Sequence, residues 1–286
     1  MRYEAPESLE GAVALLTGAT GEAKVLAGGT DLLVQMRADL VDPELIVDIK
    51  KIAETRAITE EKGGWRIGAA VTGAELKEHA RLKKTWPGVV EAANLIGSTQ
   101  VQGRATMGGN LCNGSPAADS VPALIAAGAV ATLAGPKGKR DLPVEDVMLG
   151  PRKLALTKGE IVVSFLLPPR PPRSSDAYLR FIPRTEMDIA VVGAGVSLTL
   201  DGGGTITAAR VSLGAVAPRV VLVAEAAQAI IGSQLDKAAQ DRLEAAARAA
   251  CRPIDDKRGT IEFRTDVAAV LTRRTALIAL DRARTS

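Results

Sequence analysis

Apolar residues recur at helical spacing from Leu9 to Leu16, which predicts an opening helix. Lys24 to Ala27 is a short strand pattern cut off by the pair Gly28-Gly29. Thr30 or Asp31 is then placed to cap a second helix running to about Leu40. Pro43 ends that section, and Leu45 to Ile49 reads as a strand buried on both faces. Helix, strand, helix, strand is the pattern of a small α/β unit with room for a parallel pair.

Further along, Trp65 to Ala69 reads as a strand, and Thr72 is a plausible N-cap for a helix over Ala74 to Arg81. A helix is predicted over Gly88 to Ile96, followed by a loop-rich stretch from Gly97 to Ala118 crowded with Gly, Ser, Thr, Asn and Gln. Long ordered loops inside a compact domain are often binding loops. Ala129 to Leu133 and Ile161 to Leu167 read as strands. The segment Pro168 to Ser175 reads as a stiff polar linker, and the main domain boundary is expected there. Beyond it, Ala190 to Leu200 and Ile206 to Val216 form a hairpin around Asp201-Gly202-Gly203-Gly204. Helices over about Val221 to Ile231, Lys237 to Ala250 and Val267 to Ala283 complete a small α+β unit.

Bulk composition narrows the chemistry. The 286 residues suffice for one large domain or two smaller ones. With 47% hydrophobic and 24% charged residues the composition is that of a globular protein. Aromatics at 2% argue against a surface that stacks nucleic-acid bases. The net charge of +3 is scattered, and its densest cluster, Lys137, Lys139 and Arg140, is followed at once by acids and reads as a solvated turn. Acids and a proline occupy the first seven residues, and the apolar run Val121 to Ala134 contains Pro122 and is too short to span a bilayer. A cytoplasmic location without a membrane span is therefore expected. The single histidine, His79, lies in the charged helical stretch Glu75 to Lys84 and reads as exposed, which disfavours a Ser-His-Asp triad and excludes a multi-histidine metal site. The two cysteines, Cys112 and Cys251, cannot build an iron–sulfur cluster or zinc site between them.

Two segments have the make-up of ligand loops. In Ala27-Gly28-Gly29-Thr30-Asp31 a strand runs into two glycines and straight into a helix. Glycines admit close ligand approach, and free N–H groups at such a turn attract anions. The Thr30 hydroxyl either caps the helix or donates to a phosphate, and the whole turn can equally be structural. The second segment, Thr106-Met107-Gly108-Gly109-Asn110 through Ser115 to Asp119, combines hydroxyls, bare amides, carboxamides and a carboxylate. Those groups suit phosphates and sugar hydroxyls, with Asp119 as acceptor and Asn110 as donor and acceptor. The alternative is a self-bonded surface loop. Gly193-Ala194-Gly195 lacks the third glycine of a dinucleotide fingerprint and reads as strand, and Cys112 reads as a small packing residue.

Taken together and in this order, the two loops resemble those of the FAD-binding medium subunits of molybdenum hydroxylases, the family of xanthine dehydrogenase and carbon monoxide dehydrogenase flavoproteins. The resemblance extends over the whole chain, including Leu45-Ile46-Val47-Asp48-Ile49 and Arg184-Thr185-Glu186-Met187-Asp188-Ile189-Ala190. It implies an α+β fold: a two-part FAD-binding domain similar to that of vanillyl-alcohol oxidase, over residues 1–170 (a small α/β lobe at 1–53 and a larger lobe at 54–170), then a C-terminal α+β domain at 177–286.

The resemblance also implies residue roles. Lys24, Val25, Leu26, Ala27, Gly28, Gly29, Thr30 and Asp31 would wrap the FAD pyrophosphate, and Thr106, Met107, Gly108, Gly109 and Asn110 would form the second phosphate-side loop. Asp119 would hold a sugar or ribityl hydroxyl, and Val162 would be a backbone contact to flavin or adenine. Ile96 stands where eukaryotic xanthine oxidases place an aromatic residue on the flavin, and Arg180 stands where they have a lysine. Thr30-Asp31 differs from the His-Ser usual in carbon monoxide dehydrogenases, which leans away from carbon monoxide as substrate. FAD is expected to be non-covalent. The molybdenum cofactor and two [2Fe–2S] clusters are expected on a large and a small partner subunit, in a dimer of heterotrimers. Electrons would pass through FAD to NAD⁺, a quinone or oxygen. A stand-alone FAD oxidoreductase and a flavin-free scaffold subunit are the alternatives.

Overall fold

The computed structural model describes all residues from Met1 to Ser286. The chain begins with β1 (Arg2–Glu4), α1 (Leu9–Gly18), β2 (Ala23–Leu26), α2 (Leu32–Arg37) and β3 (Leu45–Asp48). Its three strands form a parallel sheet in the order β1-β3-β2, with β3 central and buried along its whole length. The expected parallel pair is present, and β1 adds a strand that the polar sequence Arg2-Tyr3-Glu4 did not reveal. Helix α2 is shorter than expected, and neither Thr30 nor Asp31 caps it through its side chain. Its first turn is closed instead by the Gly29 carbonyl, which accepts from Leu33 N at 3.0 Å.

Next come α3 (Ala53–Arg56), β4 (Ile58–Glu61), β5 (Gly64–Gly68), α4 (Gly73–Glu78), α5 (Ala80–Thr85), α6 (Pro87–Asn94), α7 (Met107–Cys112) and α8 (Ser120–Ala126). They are followed by β6 (Val130–Gly135), β7 (Gly138–Pro143), α9 (Val144–Val147), β8 (Met148–Gly150), β9 (Lys153–Leu154) and β10 (Ile161–Leu167). Five of these strands make an antiparallel sheet in the order β4-β5-β10-β6-β7. Alternation along β10 sends Ile161 and Val163 into a core shared with the first sheet and Val162 into the main core. A register shift between Val162 and Ser164 then returns Phe165 to the main core.

Thr72 caps α4 in a complete capping box with Glu75. The helical stretch breaks at His79, which is half-buried rather than exposed: its Nδ1 accepts from Leu82 N at 3.2 Å and its ring meets Trp65 edge-on. The expected loop from Gly97 to Ala118 contains α7, whose cap is Thr106, with Oγ1 accepting from Gly109 N at 3.0 Å. The basic cluster at Lys137 to Arg140 is not a turn alone. It enters the exposed edge strand β7, where charged side chains keep a sheet edge unpaired.

The last part is β11 (Ser174–Phe181), β12 (Val192–Leu200), β13 (Ile206–Gly214), β14 (Val221–Leu222), α10 (Ala224–Gln228), α11 (Lys237–Ala250) and α12 (Ile261–Thr285). The strands form one antiparallel meander covered by the helices, with a separate core of 25 residues. Val221 to Ile231 is a strand end and one short helix instead of a long helix, and α12 starts at Ile261 rather than Val267. The proline-rich segment is no free linker. The Arg170 guanidinium lies 3.7 Å from the Trp86 ring centroid, and Ser174 and Ser175 are buried in β11.

Candidate cofactor site

A cavity of about 460 Å³ opens where the parallel sheet, the start of β10 in the second sheet and α7 converge. That size is within the ordinary range for organic ligands. Both glycine loops reach it. The strand β2 ends at Leu26 and delivers Ala27, Gly28, Gly29, Thr30 and Asp31 to one wall, with Lys24 and Val25 before them. Thr106, Gly108, Gly109 and Asn110 come from the opposite side at the start of α7, and Ile96 and Val162 add apolar surface.

Close backbone packing excludes a side chain at the first glycine of each pair. A Cβ on Gly28 would overlap the Arg104 carbonyl, and one on Gly108 would overlap the Ala69 carbonyl. Gly29 holds a left-handed φ of 84°, a conformation glycine adopts without strain.

Hydrogen bonding separates the loops chemically. The backbone N–H groups of Gly28, Gly29, Thr30 and Asp31 donate to no protein acceptor. Such a run of free amides beside a cavity fits an anion, because buried amides are otherwise nearly always paired. In the second loop the amides are spent internally: Gly108 N donates to Ala69 O at 3.2 Å, Gly109 N to Thr106 Oγ1 and Asn110 N to Thr106 O at 3.0 Å. The Asn110 Oδ1 accepts from both N and Oγ of Ser120 at 3.0 and 2.7 Å, which leaves its NH₂ group as the available donor.

Leu26, Met107, Asp119 and Arg180 are not at the cavity wall. Leu26 and Met107 are buried behind it. The Asp119 carboxylate accepts from Arg180 Nη1 at 2.8 Å and Tyr178 Oη at 3.3 Å, tying the start of α8 to β11. Burial pushes the Asp119 carboxyl up to about 6 against the opposing pull of Arg180. Cys112 is not a packing residue: its surface opens to the cavity. Desolvation by the surrounding chain pushes the thiol pKa up to about 12.

Several wall residues were not legible as site residues. Arg152 is beside Leu154 and Leu156, with a left-handed φ of 58° that no sequence motif announces, and it adds a cation to that of Lys24. Asn113 donates to Asp31 Oδ1 at 3.3 Å and accepts from Gln35 at 2.9 Å, bridging α7 to α2. Ile49, the residue just after β3, and Ile161 add to the apolar wall. No group of three or more His, Cys, Asp or Glu side chains is arranged to hold a metal ion, and no helix is long and apolar enough to cross a membrane.

Residues 1–170 match the family model described as the FAD binding domain in molybdopterin dehydrogenase, and residues 177–279 match that of the CO dehydrogenase flavoprotein C-terminal domain. The chain belongs to the FAD-binding medium subunits of the molybdenum hydroxylases. It is 35% identical to the carbon monoxide dehydrogenase medium chain of Afipia carboxidovorans, over 95% of this chain and 94% of that one. It is 32% identical to the xanthine dehydrogenase FAD-binding subunit of Escherichia coli O157:H7, over 95% and 93%. Among solved structures, a chain of the reconstituted CO dehydrogenase from Oligotropha carboxidovorans superposes with a TM-score of 0.94 at 35% identity, covering 99% of this chain and 98% of that one. A chain of quinoline 2-oxidoreductase from Pseudomonas putida 86 gives 0.89 at 28%, with the same coverage. The fold is therefore the two-domain FAD-binding arrangement, and the chain is a flavoprotein oxidoreductase subunit.

Proposed function

We propose that this subunit relays electrons: FAD in the cavity receives them from [2Fe–2S] clusters of a small partner, fed by a molybdenum cofactor on a large partner, and passes them to NAD⁺, a quinone or oxygen. The observation that carries the reading is the run of four unpaired amides at Gly28 to Asp31, residues that line a cavity also lined by the second glycine pair. In this assignment the free amides hold the pyrophosphate, and Lys24 and Arg152 offset its charge. Gly108 and Gly109 admit the ligand backbone, Asn110 NH₂ donates to it, and Ile96, Val162, Ile49 and Ile161 exclude water from the rings. Bound FAD supplies the redox chemistry, and the chain binds and orients it.

Non-covalent binding is supported by His79, the single histidine, whose ring is committed to the start of α5 and to Trp65. The placement of clusters on partner subunits is supported by the cysteines: Cys112 is at the cavity and Cys251 is buried in the separate C-terminal core, so the two do not form a cluster set. The working unit we assign is residues 1–53 and 54–170 around the cofactor, 177–286 behind it, in a cytoplasmic dimer of heterotrimers.

The test is to purify the full chain, titrate it with FAD and record flavin absorbance and fluorescence after desalting, then repeat with co-expressed partners. Flavin retained at one per chain, released by heat, and capture of a molybdenum-containing large subunit with an iron-containing small one are expected. A chain that retains no flavin after reconstitution overturns the cofactor assignment, and failure of the flavin-loaded chain to capture either partner on co-expression overturns the relay.

A further inference from the structure

The unpaired amides of the first loop need an explanation of their direction, because a flexible glycine pair would otherwise turn them at will. Two cations outside the cavity supply it. Lys50 Nζ donates to the Ala27 carbonyl at 2.9 Å, and Arg104 Nε donates to the Gly28 carbonyl at 3.2 Å. Neither side chain lines the cavity.

Lys50 is itself held. Its Nζ is 2.7 Å from Asp48 Oδ2, and its backbone N donates to Asp48 Oδ1 at 2.9 Å. Tyr3 Oη donates to the same Oδ2 at 2.7 Å, so β1, the end of β3 and the glycine turn form one chain of contacts. Arg104 is fixed from the other side, since its own carbonyl is packed directly on Gly28.

A trans peptide is planar, with its C=O and N–H pointing in opposite directions. The structure has no cis peptide. Drawing the Ala27 carbonyl outward therefore turns the Gly28 N–H inward, and drawing the Gly28 carbonyl outward turns the Gly29 N–H inward. We infer that Lys50 and Arg104 are positioning residues that aim the Gly28 and Gly29 amides at the pyrophosphate, one cation per peptide plane. They act on the ligand through the backbone and not by touching it. The inference rests on the FAD reading above and adds to it the origin of the cradle's preorganisation.

The test uses the full chain freed of flavin and three probes: FAD, ADP as a bare pyrophosphate ligand, and riboflavin as a ligand without phosphate. The variants are Lys50→Met and Arg104→Met, which keep an unbranched stem and lose the donor, and Lys50→Arg, which restores one. Selective ¹⁵N-glycine labelling reads the two amides individually. Each Met variant is expected to weaken FAD and ADP about tenfold, in line with loss of a charge-assisted bond, and to leave riboflavin within about twofold. The ADP-induced downfield shift of the Gly28 amide is expected to vanish in Lys50→Met, and that of Gly29 in Arg104→Met, with Lys50→Arg recovering affinity.

Met variants that bind ADP as the unaltered chain does, or that lose FAD and riboflavin equally, overturn the positioning role. Failure of the unaltered chain to bind either FAD or ADP overturns the cofactor reading itself. If Lys50→Met does not fold, Arg104→Met still decides, because the Arg104 side chain is exposed and buries no charge when removed.

Discussion

At the scale of single residues, the two glycine pairs do different work although they look alike in sequence. Gly28 and Gly108 are packed against carbonyl groups of other segments, whereas a Cβ on Gly109 meets only Thr106 Oγ1 at 3.0 Å. Gly28→Ala is therefore expected to push the two loops apart and cost about 1–3 kcal/mol of stability in addition to FAD. Gly109→Val is expected to abolish FAD retention while the chain stays folded, since its side chain enters ligand space. Urea unfolding of the flavin-free variants, with flavin content of each after desalting, separates the two outcomes. Equal stability loss in both, or flavin retained by Gly109→Val, contradicts this assignment. The glycine doublets were legible because so few residues tolerate such contacts. Their partners Lys50, Arg104 and Arg152 were not, because a lone cation carries no sign in sequence of which carbonyl or cavity it will meet.

At the scale of elements, hydrophobic periodicity located α1, α4, α6, α11, β3, β10 and the β12–β13 hairpin well. It failed where local propensity and tertiary contact disagree. Helix α7 contains Gly108 and Gly109, poor helix formers, and read as loop. It forms because Thr106 caps it and the Ala69 carbonyl anchors Gly108 N. The proline-rich stretch read as a linker, since prolines and arginines ordinarily stay in water. Arg170 is instead sandwiched between the Trp86 ring and Asp176, with Nη2 2.9 Å from Asp176 Oδ1, and Asp176 Oδ2 also accepts from Val89 N at the start of α6. Burial raises the Asp176 carboxyl and Arg170 opposes that rise. Arg170→Ala leaves a buried carboxylate without its cation and is expected to cost about 3–5 kcal/mol in urea unfolding at neutral pH. A loss below about 1 kcal/mol would show the segment to be the free linker its composition suggests.

At the scale of the whole molecule, Asp119, Tyr178 and Arg180 join the cofactor-binding part to the C-terminal sheet. The Asp119 carboxyl, raised from 3.8 to about 6, takes up a proton on folding between those values. Its contribution to stability is fully present below about pH 4 and is lost as pH rises through about 6. The unfolding free energy of the unaltered chain minus that of Asp119→Asn is accordingly expected to fall from about pH 4 to about pH 6 and to be flat above about pH 7. A difference that is constant across this range would place the Asp119 pKa at its ordinary value.

Sequence alone determined the strongly periodic strands and helices, the two glycine pairs and the lack of a cluster-binding cysteine set. Those depend on residue type and spacing, which a linear chain displays directly. Tertiary structure decided which amides of those loops are free, that Asp119 and Arg180 face each other and not the cavity, and that Lys50 and Arg104 grip the first loop from behind. Each of these depends on where a carbonyl from a distant segment comes to lie, and that position exists only once the parallel sheet, the second sheet and α7 have packed together.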